Sequence, residues 1–325
     1  MKRKIIAYNF VITEALDKLS AEYDIDFFED INPETDPAFM EALGKAEGII
    51  GLSLPVNKAL LERAPKLKIV ANNSTGYNNF SLDEMTKRGV MGTNTPGVLE
   101  GTVADALFGI LLAAARRIPE MDQFVKSGQW KHYLTRDQFA IDVHHKTLGI
   151  IGMGKIGAEI AKRGHFGFDM NILYHNRSRN LEAEEKYNAT YCDLDTLLKA
   201  ADFVVLMTPL TPETENLMGK REFALMKSTA FFVNGSRGKT VDEAALVEAL
   251  RSKQILGAAV DVYRSEPVDK NHPLLAFPNV VTTPHLGSAT YETEVKMAEL
   301  AVENLVAGLE GRRPKNLVNP EVFNK

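Results

Sequence analysis

Leu148-Gly149-Ile150-Ile151-Gly152-Met153-Gly154-Lys155-Ile156-Gly157 is the stretch on which the reading of this chain turns. Leu148–Ile151 predicts a strand, Gly152 to Gly157 fits G-x-G-x-x-G, and Ile156 to Arg163 continues as an amphipathic helix before a new apolar strand opens at Asn171. The glycine pattern alone is weak in a chain with 23 glycines. Between a strand and a helix it acquires a physical reason. One glycine turns tightly, one lets the backbone approach a pyrophosphate, and one allows close helix–sheet packing, while phosphates rest on the free N–H groups of the helix N-terminus. Gly152, Gly154, Lys155, Ile156 and Gly157 are therefore candidate dinucleotide-binding residues.

Outward from this motif, strand-like runs alternate with helix-like stretches, the pattern of parallel α/β architecture. Before it come Ile5–Tyr8, Ile25–Phe28, Gly48–Gly51, Leu67–Val70 and Gly89–Met91. After it come Asn171–Tyr174, Phe203–Leu206, Ala230–Val233, Gly257–Val260 and Val280–Thr282. Thr102 to Arg117 predicts a long helix, apolar on more than one face and expected to lie between domains or subunits. The tail after His285 predicts another, with Tyr291, Met297, Leu300 and Leu305 on its apolar side.

Composition bounds the function. The 325 residues allow two or three domains, and 38 basic against 43 acidic side chains leave a net charge of −5, with no basic footprint for nucleic acid. Hydrophobic residues at 45% and charged ones at 25% exclude a disordered or collagen-like chain. The longest apolar stretch, Ala106 to Ala115, is too short for the ~20 residues of a membrane helix. Met1-Lys2-Arg3-Lys4 leads into a short run that reads as a first strand rather than a signal peptide. The single cysteine, Cys192, makes no internal disulfide, and a reducing cytoplasm is expected.

NAD enzymes usually place an acid at the end of the strand after the glycine loop, for the ribose 2′-hydroxyl. Here the chain reads His175-Asn176-Arg177-Ser178-Arg179, with no acid before Glu182. Two guanidiniums and a hydroxyl suit a 2′-phosphate. NADP(H) is the expected cofactor, with NAD(H) the alternative.

In open α/β sheets the chemistry collects beyond the carboxyl ends of the strands. Those ends carry Thr208-Pro209, Asn234-Gly235-Ser236-Arg237-Gly238, Asp261 with Glu266-Pro267 just beyond, and Thr283-Pro284-His285-Leu286-Gly287. Arginine, glutamate and histidine there form a set of anion binder, orienting carboxylate and proton donor. Together with Gly152–Gly157 and the Ser74-Thr75-Gly76-Tyr77-Asn78-Asn79 turn, these motifs resemble the D-isomer-specific 2-hydroxyacid dehydrogenases along essentially the whole chain. His144-His145-Lys146-Thr147, His165-Phe166-Gly167-Phe168 and Tyr191-Cys192-Asp193-Leu194-Asp195 look most like the bacterial glyoxylate/hydroxypyruvate (2-ketogluconate) reductases of that family.

The resemblance implies two doubly wound parallel-sheet α/β domains with the active site in the cleft between them. A flavodoxin-like substrate domain would comprise residues 1–100 and 289–325, and a Rossmann-type coenzyme domain residues 101–288. Arg237 would bind the keto acid, His285 would be the acid/base, and Glu266 would hydrogen-bond His285 and favour its charged form. The backbone at Thr75 and Gly76 would cradle the substrate carboxylate. Asp261 would lie near the nicotinamide. Thr102, Thr208, Pro209 and Thr214 would complete the cofactor site, with Asn176, Gly235, Ser236 and Gly287. The implied activity is reduction of a small 2-keto acid by a homodimer, without metal, membrane or nucleic-acid partner. Thr75 and Asn78 stand where Val and Asp are common, and Gly101 where an acid is, which bears on substrate preference.

The alternatives are a dinucleotide-sensing corepressor of the same fold, which usually carries flanking extensions, and an NAD-linked phosphoglycerate-type dehydrogenase, which usually carries a regulatory domain. His144 and His145 are expected to point to opposite faces of an extended segment and to hold no metal. Cys192 is expected to be inert and His165 to pack; Trp130 is expected to pack rather than bind, with a place near the substrate mouth or a partner subunit as the alternative.

Overall fold

Parallel strands need no alternation when both faces are covered, which is why the strands of this chain read as nearly continuous apolar runs. The computed structural model describes residues 2–10 and 12–323. Met1, Asn324 and Lys325, the outermost positions of the expected substrate domain, lie outside the described residues, as does Val11. The chain divides into two units, Met1–Leu99 with Ala289–Lys325, and Glu100–Ser288.

In the first unit, strands β1 (Arg3–Tyr8), β2 (Tyr23–Phe28), β3 (Gly48–Gly51), β4 (Ile69–Asn72) and β5 (Met91–Thr93) form a parallel sheet. Their order, β2-β1-β3-β4-β5, is that of flavodoxin-like sheets. Alternate residues of β1 feed opposite cores. Ile5 and Ala7 pack with Ile50, Ile69 and Leu305, whereas Ile6 and Tyr8 pack with Phe39, Ile49 and Val70. Strands β4 and β5 begin two residues later than the apolar runs suggest. The Leu67 N–H closes a turn onto Ala64, and Gly89 turns back at φ +73°.

The helix Tyr291–Leu309 covers one face of this sheet. A Cβ on Gly308 would lie 2.4 Å from Ile69, so glycine sets how closely the helix approaches β4. Met297, Leu300 and Leu305 are buried as expected, but Tyr291 begins the helix in solvent, 71% exposed. Buried Asn319 then ties the C-terminal segment to the sheet, accepting from Gly92 N–H at 2.8 Å and donating to Val90 O at 2.9 Å.

The second unit holds β6 (Thr147–Ile151), β7 (Asn171–His175), β8 (Thr190–Tyr191), β9 (Phe203–Leu206), β10 (Phe231–Asn234), β11 (Gly257–Val260) and β12 (Val280–Thr282). Their order is β12-β11-β10-β9-β6-β7-β8. Counted within the unit this is 3-2-1-4-5-6, the dinucleotide-binding order, extended by one strand. The order reverses between β6 and β9, so the loops beyond these two strands open a crevice. The two-residue β8 is too short to read from sequence.

The long apolar helix runs Glu100–Ala115 and stops before Arg117, whose left-handed φ of +54° separates it from the helix Ile118–Lys126. It packs on the helix Lys155–Phe168 and on β10, β11 and β12. Its own domain therefore accounts for much of an apolarity that the sequence suggested lay between domains or subunits. Among the described residues no helix is long and apolar enough to cross a membrane.

Candidate active site

The glycine loop leaves β6 at Gly152, which has φ +104° and whose Cβ would lie 2.7 Å from the Met207 carbonyl and 2.9 Å from Thr208 N. Gly157 is equally constrained, since its Cβ would lie 2.4 Å from Gly152 O. Gly154 differs. Its φ of −83° suits any residue, a Cβ there would meet nothing within 4 Å, and the residue is exposed. No contact within the chain requires that glycine, whereas close approach by a phosphate would. The helix Lys155–Phe168 begins immediately after it, with the N–H groups of Lys155, Ile156 and Gly157 in its first turn. These residues fit a dinucleotide pyrophosphate.

At the end of β7 the structure separates the two arginines. Arg177 and Ser178 are exposed, and Glu213 feels the Arg177 charge. The Arg179 guanidinium instead grips Glu184, Nε to Oε1 at 2.9 Å and a second nitrogen to Oε2. Of the two guanidiniums expected to await a 2′-phosphate, the structure leaves Arg177 unengaged among the described residues and pairs Arg179 with Glu184. Glu184 is held below the usual carboxylate range by Arg179 first and by the Tyr174 hydroxyl second. Asn180 fastens the loop to the glycine loop through Nδ2–H to Met153 O at 3.0 Å.

Three strand ends bring Arg237, Glu266 and His285 into one neighbourhood of this unit. The 237–240 turn lies so close to the next loop that a Cβ on Gly238 would stand 1.8 Å from the Tyr263 carbonyl carbon. Burial pulls the Arg237 guanidinium below its ordinary value, and the Glu266 charge acts against that fall. Glu266 meets Nδ1 of His285 at 2.8 Å and accepts the Tyr263 N–H at 2.9 Å. Burial alone would raise the Glu266 carboxyl. The hydrogen bonds from His285 and Tyr263, with the nearby charges of His285 and Arg237, outweigh it and keep the group below its usual range. An ionised carboxylate only accepts, so Nδ1 carries a proton and Nε2 is the nitrogen left for chemistry.

His285 sits at φ +54°, a left-handed conformation uncommon for a side-chain-bearing residue. Buried Asp261 enforces it. Its Oδ1 accepts Thr283 Oγ1–H at 2.6 Å and Leu286 N–H at 2.8 Å, and its Oδ2 accepts Gly287 N–H at 3.0 Å. The Tyr263 hydroxyl, pushed up to about 12 by burial and then by Asp261, stays protonated and donates to Thr283 O at 3.1 Å.

In the first unit, the Thr75–Gly76 turn is clamped through its carbonyls. Ser74 O accepts Thr95 N–H at 3.0 Å, Thr75 O accepts Asn94 Nδ2–H at 2.7 Å, and Gly76 O accepts Asn72 Nδ2–H at 2.7 Å. In a trans peptide the N–H points opposite to the carbonyl, so the clamp turns the amides of Thr75, Gly76 and Tyr77 away from these three partners.

Residues 108–287 match the family model described as the D-isomer specific 2-hydroxyacid dehydrogenase NAD binding domain. The chain belongs to this dehydrogenase family. Glyoxylate/hydroxypyruvate reductase B of Citrobacter koseri is 48% identical over 322 residues, 99% of each chain. The Klebsiella pneumoniae protein of the same name is 47% identical, over 99% of this chain and 100% of its own. Among solved structures, a protein from Thermus thermophilus superposes with a TM-score of 0.90 at 38% identity, covering 97% of this chain and 99% of that one. The NADPH-dependent glyoxylate/hydroxypyruvate reductase of Sinorhizobium meliloti, solved with NADP and malonate, gives 0.88 at 30% identity, covering 99% and 98%.

This dehydrogenase uses several of the expected cofactor residues for its own architecture. The Ser236 hydroxyl is buried between Asn234 Oδ1 at 2.9 Å and Thr240 Oγ1 at 3.0 Å. Thr214 Oγ1 closes the 209–214 turn, donating to Pro209 O at 2.6 Å and accepting Thr211 N–H at 2.8 Å. A Cβ on Gly235 would strike Leu107 at 2.3 Å, and the Gly287 N–H belongs to Asp261. Thr208 Oγ1 is buried and has no hydrogen-bond partner among the described residues. Thr102 lies in the first turn of the helix Glu100–Ala115, and Asn176 O accepts the Tyr191 hydroxyl at 3.2 Å.

Sequence reasoning missed Asp261 as the organiser of the His285 loop and Tyr263 as the donor to Glu266; the short Asp261…Glu266 spacing was the available signal. Two other expectations are corrected. His145 adopts φ +60°, so the two histidine rings meet edge to face at 4.9 Å rather than pointing apart. Trp130 is 62% exposed rather than packed within its own chain, which leaves the substrate mouth or a partner subunit as the expectation for it. Cys192 is half-buried, and burial, then Asp193, raises its thiol. No group of three or more potential metal ligands occurs among the described residues.

Proposed function

We propose that this enzyme reduces small 2-keto acids, glyoxylate and hydroxypyruvate foremost and 2-ketogluconate as a larger candidate, to D-2-hydroxy acids with NADPH preferred over NADH. The observation that carries the reading is the Glu266–His285 couple beside half-buried Arg237 in the unit that matches the NAD-binding model. The names of the relatives, and the NADPH dependence of the Sinorhizobium meliloti reductase, support the substrate and cofactor assignments.

Bound NADPH supplies the hydride. Arg237 binds the substrate carboxylate and the adjoining carbonyl through its planar fork. His285, doubly protonated, gives the Nε2 proton to the carbonyl oxygen as negative charge develops there. Glu266 holds the ring through Nδ1 and stabilises its charge. Asp261 fixes the backbone that aims it. Thr75 and Gly76 are assigned to the substrate carboxylate through their backbone amides.

The proposed homodimer would cover an apolar surface on the segment after the long helix, where Ile118, Val125, Trp130, Leu134 and Phe139 are all exposed. Oxidation of NADPH and of NADH, followed with glyoxylate, hydroxypyruvate and 2-ketogluconate, tests the function. Faster oxidation of NADPH with the two smaller acids is expected. An enzyme that binds NADPH but turns over none of the three keto acids would be a different one.

A further inference from the structure

The basic loop after β7 holds two arginines that the structure uses for different ends. Arg177 is exposed, and no hydrogen bond or ion pair engages its guanidinium among the described residues. Arg179 is forked onto Glu184, whose side chain is only 17% exposed and also accepts the Tyr174 hydroxyl. The Tyr174 oxygen accepts the Asn180 N–H at 2.7 Å, and Asn180 reaches back to Met153 O in the glycine loop. Were Arg179 to swing out to a ligand, the Glu184 carboxylate would lose its cationic partner and keep only a phenol as side-chain donor, a modest cost for a half-buried charge.

The geometry points to Glu184 as a specificity-determining residue, one that neutralises Arg179 internally so that a 2′-phosphate is met by Arg177 and Ser178. This inference rests on the NADPH reading proposed above and deepens it. Cofactor discrimination then depends on the balance of charge under the loop as well as on the residues that reach the phosphate.

The test compares the affinities of 2′,5′-ADP and 5′-ADP for the unliganded enzyme by calorimetry, with their ratio as the readout, so that general loosening of the loop cancels. Arg177→Ala is expected to lower the preference for the 2′-phosphate about ten- to a hundredfold, the loss of a charge-assisted contact. Glu184→Gln removes one negative charge and frees Arg179, raising the preference about two- to fivefold, the size of an exposed ion-pair effect. Arg179→Ala leaves Glu184 unneutralised and lowers the preference by a similar factor. The double variant R179A/E184Q restores the ratio to near the wild-type value.

A double variant as weak for the 2′-phosphate as R179A identifies Arg179 as a phosphate ligand and overturns the inference alone. So does an E184Q ratio equal to or below wild type. A wild-type ratio near one that Arg177→Ala does not move overturns the NADPH reading, and this inference with it.

Discussion

The Glu266 carboxylate stands 2.8 Å from Nδ1 of His285, and its other oxygen is held at 2.9 Å by the Tyr263 N–H. One carboxylate thus orients the imidazole and is itself oriented by the loop that carries it. Glutamine keeps the shape of Glu266 and removes the charge that the proposed proton transfer relies on. Glu266→Gln is expected to lower kcat for keto-acid reduction while NADPH affinity stays near wild type. Unchanged turnover in the glutamine variant would show that the carboxylate charge plays no part. His285→Ala loses ~10²–10⁴-fold in turnover, with NADPH binding by fluorescence titration nearly unchanged.

Arg237 is half-buried and close enough to Glu266 to feel its charge. A lysine ammonium at this position is a point charge and cannot bridge the carboxylate and carbonyl of a keto acid as a planar fork does. Arg237→Lys is expected to lose most activity on glyoxylate while its NADPH affinity stays near wild type. Nearly full activity in the lysine variant would mean that charge alone suffices.

The glycine loop permits a paired experiment. Gly152→Ala forces a left-handed backbone and a Cβ 2.7 Å from the Met207 backbone, so thermal unfolding should occur at lower temperature, by about 1–3 kcal/mol of lost stability. Gly154→Ala meets nothing in the protein and should unfold like wild type, yet bind NADPH more weakly. If Gly154→Ala keeps full NADPH affinity, the pyrophosphate does not lie against this turn.

Asp202 joins two strands to a loop, accepting Thr147 N–H at 2.9 Å and Lys227 Nζ–H at 2.9 Å. Burial would raise its carboxyl, but the Thr147 hydrogen bond and Lys227 outweigh it and leave the group below its usual range. A carboxyl depressed in the folded state stabilises fully above the unfolded value, ~3.9, and loses that contribution as pH falls through the lower folded value. Asp202→Asn should therefore melt below wild type at neutral pH, and the two curves should converge as the pH is taken below about 4. A gap between the two melting temperatures that stays constant down to low pH would show that charge plays no part.

The alternation of apolar runs and the glycine loop at Gly152–Gly157 were legible without coordinates because both are local. A strand buried on both faces reads as a continuous apolar run, and a glycine loop between strand and helix carries its own steric logic. Arg237, Glu266 and His285 could be nominated for a similar reason, since strand ends in a parallel sheet gather at one edge. What the sequence could not supply is which partner each polar group takes. Arg179 looked equivalent to Arg177 until folding placed Glu184, five residues on, against its guanidinium. Asp261 could be nominated as a cofactor residue, but only folding shows that its carboxylate also closes the loop that holds His285 at φ +54°. His144 and His145 were expected to diverge because an extended backbone was assumed, and one left-handed residue brought them together. Sequence by itself determined the sheet-forming segments, the dinucleotide loop and the candidate chemistry, since these follow from spacing and side-chain type. Only tertiary structure decided the hydrogen-bond assignments, because a carboxylate or guanidinium takes whichever partner packing brings within about 3 Å, and that proximity is a property of the folded chain.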